Sequence, residues 1–125
     1  MRLSGILAEN LCPYLELSLP QTDGTLLAQN FLIDTGCTME MILPYVVVAT
    51  LGWPLYRTLS FEQADGSIVD ADEFAGEVIV GGYRRPVSVV AVGTKPILGV
   101  RFLQGWQFCM DVIGPDEGGV RLESL

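Results

Sequence analysis

The chain has 125 residues, the length of a single domain (residues 1–125); half are apolar and 18% charged, which favours a packed core over disorder. Its formal net charge of −8 argues against nucleic-acid partners, which need Lys and Arg to neutralise phosphates. There is no histidine, which removes Ser-His-Asp and Cys-His catalysis and His-ligated metal sites, and the lone lysine, Lys95, lies in Thr-Lys-Pro rather than after a Gly-rich loop, which removes a P-loop; any acid–base chemistry falls to carboxylates.

The first strand signal is Tyr14 to Leu19, where apolar residues alternate with period two. Gln21-Thr22-Asp23-Gly24 reads as a turn, because Asp-Gly favours positive φ, and Thr25 to Ile33 runs back as the second arm of a hairpin. Pro44 to Leu51 suits a short helix, with proline in the first turn and Gly52 just past the end. The β-branched Val46-Val47-Val48 weighs against it. Leu59 to Gln63 and Ile68 to Phe74 flank Ala64-Asp65-Gly66-Ser67, a second hairpin signal. Glu77 to Val80 and Pro86 to Val92 flank Gly81 to Arg85, a third. Gly99 to Gly105 has room for one or two helical turns. Phe108 to Ile113 and Val120 to Glu123 complete the strands. This spacing predicts an all-β barrel or sandwich with one or two short helices.

Cys12, Cys37 and Cys109 are odd in number and lack metal-ligand spacing, so they read as reduced, mostly buried residues of a reducing compartment. Glu9 follows Ile6-Leu7 too soon for a secretory apolar region. The longest uncharged stretch, Met41 to Tyr56, is shorter than the ~20 residues a bilayer span needs and contains Pro44 and Pro54. A cytoplasmic chain without membrane contact is the expectation.

Chemistry concentrates in Phe31-Leu32-Ile33-Asp34-Thr35-Gly36-Cys37-Thr38, where a carboxylate follows an apolar strand and a hydroxyl and a glycine follow the carboxylate. The bare tripeptide also fits an ordinary strand-ending turn. A second segment, Pro96-Ile97-Leu98-Gly99-Val100-Arg101-Phe102-Leu103, places an apolar pair and a glycine so that Ile97 lies 63 residues after Asp34.

Together these segments resemble the retropepsin-like aspartic proteases, with their apolar-Asp-Thr/Ser-Gly motif and, some 60 residues on, an apolar-apolar-Gly motif leading into a helix. The resemblance runs from about Tyr14 to Ile113 and implies a closed acid-protease-like barrel. It implies that the hairpin tip Gln63, Ala64, Asp65, Gly66 and Ser67 is a flap that closes over an extended polypeptide, and that Asp34, Thr35 and Gly36 are catalytic. One motif in a chain this short implies a homodimer, with Asp34 facing Asp34 of a second copy and the two carboxylates sharing a proton. Thr35 would donate across the axis, Gly36 would let a backbone amide reach the carboxylate, and Gly99 would allow close packing against the motif strand. Cys37 and Thr38 read as packed and locally hydrogen-bonded, and the tip, like any such tip, also reads as a plain surface turn. Asp70, Asp72, Glu73 and Glu77 read as solvated strand faces, and Asp111 as a structural hydrogen-bond partner. Arg101 departs from the family's usual Asp or Asn and bears on the dimer contact. No metal and no cofactor is implied. The alternative is a non-catalytic peptide-binding or dimerisation module on the same fold, and a third reading is a plain β-barrel whose Asp-Thr-Gly is a turn.

Overall fold

The computed structural model describes residues 1–115 and 117–125. The elements are β1 (Arg2–Leu7), β2 (Pro13–Pro20), β3 (Leu26–Asp34), β4 (Met41–Leu43), α1 (Tyr45–Leu51), β5 (Leu55–Glu62), β6 (Ile68–Val80), β7 (Tyr83–Ala91), β8 (Ile97–Gly99), β9 (Trp106–Gly114) and β10 (Glu117–Ser124). Six strands close a barrel in the order β2-β3-β8-β4-β7-β6, and β6 returns to β2 where Ile79 pairs with Ser18. The sheet continues past β2 through β1 and β10 to β9, and past β6 to β5. The predicted all-β barrel with a short helix is therefore the observed architecture.

Alternation builds the core. Leu15, Leu17 and Leu19 of β2 point inward, as do Phe31 and Ile33 of β3, Val87 and Val89 of β7, and Leu98 of β8. Phe31, Phe102, Leu19 and Leu98 are fully buried among them. The helix forms despite its valines because its ends are well specified: Pro44 precedes it with φ −56°, and Gly52 closes it at φ 74° with its N–H on the Val48 carbonyl. Val48 and Leu51, three apart, bury its inner face.

Several elements differ from the sequence-based expectation. β1 pairs with β10 and with the start of β2, and Gly5 is needed there because a Cβ would sit 2.1 Å from the Tyr14 carbonyl oxygen. β6 is one strand rather than two. Its apolar pattern lapses at Ala75-Gly76 because the Trp53 ring covers Gly76, where a Cβ would come within 2.2 Å of a ring carbon. Trp53 Nε1 donates to the Pro20 carbonyl at 2.9 Å, so the buried indole is satisfied. The β6–β7 turn is only Gly81-Gly82, both at positive φ, and Arg84 and Arg85 belong to β7. Val100 to Gly105 is a run of tight turns, not a helix: Phe102, Leu103 and Gln104 each donate to the carbonyl three residues back. The three cysteines are free and half-buried rather than mostly buried. Asp111 does accept a hydrogen bond, from Arg121 Nη1 at 2.8 Å. No helix among the described residues is long and apolar enough to cross a membrane.

The Trp53–Gly76 contact yields a direct test. Gly76→Ala forces the indole out of its seat and is expected to lower unfolding free energy by about 1–3 kcal/mol in urea titrations; an unchanged midpoint contradicts the packing described.

Candidate active site

Asp34 is the last residue of β3, and Gly99 is the last residue of β8; the two strands run parallel with Asp34 opposite Gly99. β8 also pairs antiparallel with β4, so it lies between the two strands that the Asp34 loop joins. The loop wraps the end of β8. Gly99 N–H donates to the Glu40 carbonyl at 3.1 Å, and Val100 N–H to the Cys37 carbonyl at 2.8 Å. A Cβ on Gly99 would lie 1.9 Å from the Met39 carbonyl oxygen and 2.9 Å from that of Cys37. Only glycine permits that approach.

Within the loop, Gly36 N–H donates to Asp34 Oδ1 at 2.9 Å, and Cys37 N–H to the Asp34 carbonyl at 3.1 Å. The first bond orients the carboxylate and the second closes the turn. A Cβ on Gly36 would already crowd Asp34 Oδ1 at 3.2 Å. Asp34 is half-buried, while Thr35 and Gly36 are exposed. The carboxylate, its amide donor and the adjacent hydroxyl residue thus sit together at an open surface.

A layer of polar contacts beneath the loop was invisible in the sequence. Glu40 Oε1 accepts from Ser88 N–H at 2.6 Å, and Glu40 Oε2 lies 3.5 Å from Arg85 Nη2. The same Arg85 donates from Nη1 to the Phe102 carbonyl at 3.1 Å and stacks on the Phe102 ring with its guanidinium carbon 4.3 Å from the centroid. Arg85 therefore ties the turns after β8 to the end of the Asp34 loop.

Glu73 corrects the reading of the acidic residues as solvated. It is 6% exposed, accepts from Arg57 Nε at 2.9 Å and from Ser88 Oγ at 2.9 Å, and so joins β5, β6 and β7. Burial is tolerated because both carboxylate oxygens have partners. On the other face of β5 and β6, Thr58 Oγ1 donates to Asp72 at 2.8 Å and Ser60 Oγ donates to Asp70, a ladder that holds the hairpin in register. Glu77 lies 3.6 Å from Arg84 at the surface.

The tip of this hairpin closes on itself. Gln63 N–H donates to the Ser67 carbonyl at 2.8 Å, Gly66 sits at φ 85°, and Ser67 donates to Asp65 Oδ1 from its N–H at 2.9 Å and its hydroxyl at 2.6 Å. The β2–β3 hairpin repeats this arrangement at Gln21 to Thr25, where Thr25 N–H and Oγ1 both donate to Asp23 Oδ1. The tip is thus a generic hairpin closure in its hydrogen bonding. Arg57, Leu59 and Glu73, nearer the base, face the Asp34 loop across a cavity of about 230 Å³ that Thr38, Met39, Glu40 and Arg101 also line; Gln63 to Ser67 do not line it. Arg101 forms no ion pair among the described residues. Nor do those residues bring three His, Cys, Asp or Glu side chains together as a metal site.

A crystal structure of a retropepsin-like aspartic protease from Rickettsia conorii shares this fold, with a TM-score of 0.64 at 14% sequence identity over 98% of this chain and 89% of that one. The fold is retropepsin-like. No family profile and no curated protein matches the sequence.

Two outcomes follow from this geometry. Gly99→Ala drives a methyl into the Met39 carbonyl and is expected to cost about 2–3 kcal/mol of stability in chemical denaturation; a cost near zero contradicts the close approach. Asp65 is held below the ordinary aspartate value of 3.8 by the Ser67 hydroxyl and then by the Ser67 N–H. Its contribution to the tip is fully present above the ordinary value and is lost as pH falls through the lowered one. The Ser67 amide shift in an NMR titration is therefore expected to move with a midpoint below 3.8, and a midpoint at or above it contradicts the bonding.

Proposed function

We propose that the chain is an aspartic-type endopeptidase that works as a homodimer on extended polypeptides. The observation that carries this reading is the Asp34 carboxylate, oriented by the Gly36 N–H at an open surface beside Gly99, in a retropepsin-like fold. The chain offers one such loop, so the second carboxylate comes from Asp34 of another copy across a twofold axis. Exposure of Thr35 and Gly36 in the single chain supports a surface that another chain covers. So does β9, a sheet edge that exposes Val112 and Ile113.

In such a pair the two carboxylates hold one proton. The ionised one takes a proton from water as the water oxygen bonds to the peptide carbonyl carbon. The protonated one gives its proton to the carbonyl oxygen. Transfer of a proton to the amide nitrogen then lets the C–N bond break, leaving a free carboxyl and a free amine. Thr35 and Gly36 hold the carboxylates in place. The tip Gln63, Ala64, Asp65, Gly66 and Ser67 acts as a flap that adds a strand to the bound peptide and excludes water. No cofactor enters the reaction. Three free cysteines support a reducing, cytoplasmic setting.

A second reading, a peptide-binding or dimerisation module without catalysis, is favoured by the self-closed tip, whose polar side chains are already engaged with one another. A cleavage assay on an unfolded protein from about pH 3 to 7 separates the two. The enzyme reading expects cleavage that is strongest at acid pH, and a loss of at least about a hundredfold in Asp34→Asn with the circular dichroism spectrum and thermal midpoint unchanged. Cleavage by neither chain, or equally by both, contradicts it.

A further inference from the structure

The cavity between the Asp34 loop and the β5–β6 hairpin combines charged and polar groups with the apolar Met39, Leu59 and Val90, and the pairing of its charges is lopsided. Its two carboxylates are satisfied from within. Buried Glu73 takes Arg57 Nε and Ser88 Oγ, both at 2.9 Å, and Glu40 takes the Ser88 N–H at 2.6 Å with Arg85 Nη2 at 3.5 Å. The cations are not. Arg57 uses Nε on Glu73, its side chain is 62% exposed, its guanidinium carbon lies 5.4 Å from the Tyr56 ring centroid, and its two Nη groups make no hydrogen bond among the described residues. Arg101 is exposed and forms no ion pair among the described residues. The lining holds two arginines and two glutamates; because Arg85, which lies outside the lining, pairs with Glu40, and Arg57 pairs with Glu73, Arg101 is the guanidinium left over, in a chain of net charge −8.

The placement of Arg101 adds to this. It lies two residues beyond Gly99, so the bonds that fix the Asp34 loop also fix its backbone. It borders a second hollow beside Val100 and Gln104, and Thr38 borders both hollows. The two hollows thus meet at Thr38 and Arg101, respectively four residues along the chain from Asp34 and two from Gly99. The volume of the cavity is about 230 Å³. A planar fork of N–H donors is the group best matched to a carboxylate. An ammonium or guanidinium entering here would meet unpaired positive charge, and a neutral side chain would gain no ionic contact.

We propose that this cavity is a subsite for an acidic side chain of an extended polypeptide, and that Arg101, with Arg57 beside it, recognises the carboxylate. This rests on the proposal that an extended polypeptide binds at the Asp34 surface, and it names the substrate class selected there. Arg101 is then a specificity-determining residue. Exposure and salt screen the contact, so discrimination is moderate and weakens as ionic strength rises.

The test uses fluorescent peptides that differ only by Glu, Gln or Lys at one position, scanned along the sequence. Binding to the Asp34→Asn chain is read by anisotropy, and cleavage by the unaltered chain is read in parallel. At one position Glu is expected to bind about tenfold better than Gln, with Lys weakest. Introducing Arg101→Glu into either chain is expected to invert that order at the same position and leave the other positions unchanged. Arg101→Lys is expected to keep the order with a smaller ratio. Cleavage without a Glu preference, or a preference that Arg101→Glu leaves intact, overturns the subsite while the protease reading stands. A Glu preference that Arg101→Glu inverts in the binding arm, with no cleavage by the unaltered chain, upholds the subsite and overturns the protease reading. Absence of both binding and cleavage overturns both.

Discussion

The backbone of Gly99 touches the backbone of the Asp34 loop with no space for a side chain between them. Everything at the site follows from that approach. Because β8 lies between β3 and β4, the loop joining those strands has to pass around its end, and it does so at hydrogen-bonding distance. The carboxylate then stands at the surface, at a strand terminus of a closed barrel, on a support that cannot drift far without breaking ladder bonds. Rigid support of this kind is what positioned acid–base groups require. A floppy turn carrying the same residues would not hold the Gly36 N–H on Asp34 Oδ1.

The second organising feature is a set of polar contacts that crosses between elements beneath the site. Glu40, Ser88, Glu73, Arg57 and Arg85 connect the Asp34 loop, the hairpin arms, β7 and the turns after β8. No buried side-chain nitrogen or oxygen among the described residues lacks a partner. Removing one member strands the others, so such networks are costly to break and specify one arrangement. They also leave particular atoms over. Here those are guanidinium groups of Arg57 and Arg101, whose positive charge is opposite in sign to the net charge of the whole chain.

How much of this was legible in the sequence differed with the length scale of the signal. The Asp-Gly turns at Gly24 and Gly66 fixed two hairpins, and β2 and β3 showed their alternation openly. The link between Asp34 and Gly99 was readable as a resemblance between two short motifs. β4 and β8, at three residues each, are too short to carry a period, so neither was legible as a strand. β1 was missed although Leu3 and Leu7 face inward, because Gly5 breaks its apolar alternation. Glu73 read as a surface charge because its partners, Arg57 and Ser88, lie 16 and 15 residues away on neighbouring strands. Arg85 read as a turn residue because nothing local announces its seat on Phe102. Burial of charge is decided by tertiary partners, and local pattern carries no record of them.

The central claim is that one Asp34 from each of two chains makes a single reactive pair. Mixing tests it most directly: the unaltered chain is progressively replaced by Asp34→Asn chain at constant total protein, and each mixture is dissociated, re-equilibrated and assayed for cleavage. The account predicts that activity falls with the square of the unaltered fraction, since a mixed pair holds one carboxylate and is inactive. Activity that falls only in simple proportion to that fraction means each chain acts with its own Asp34 alone, and contradicts the account.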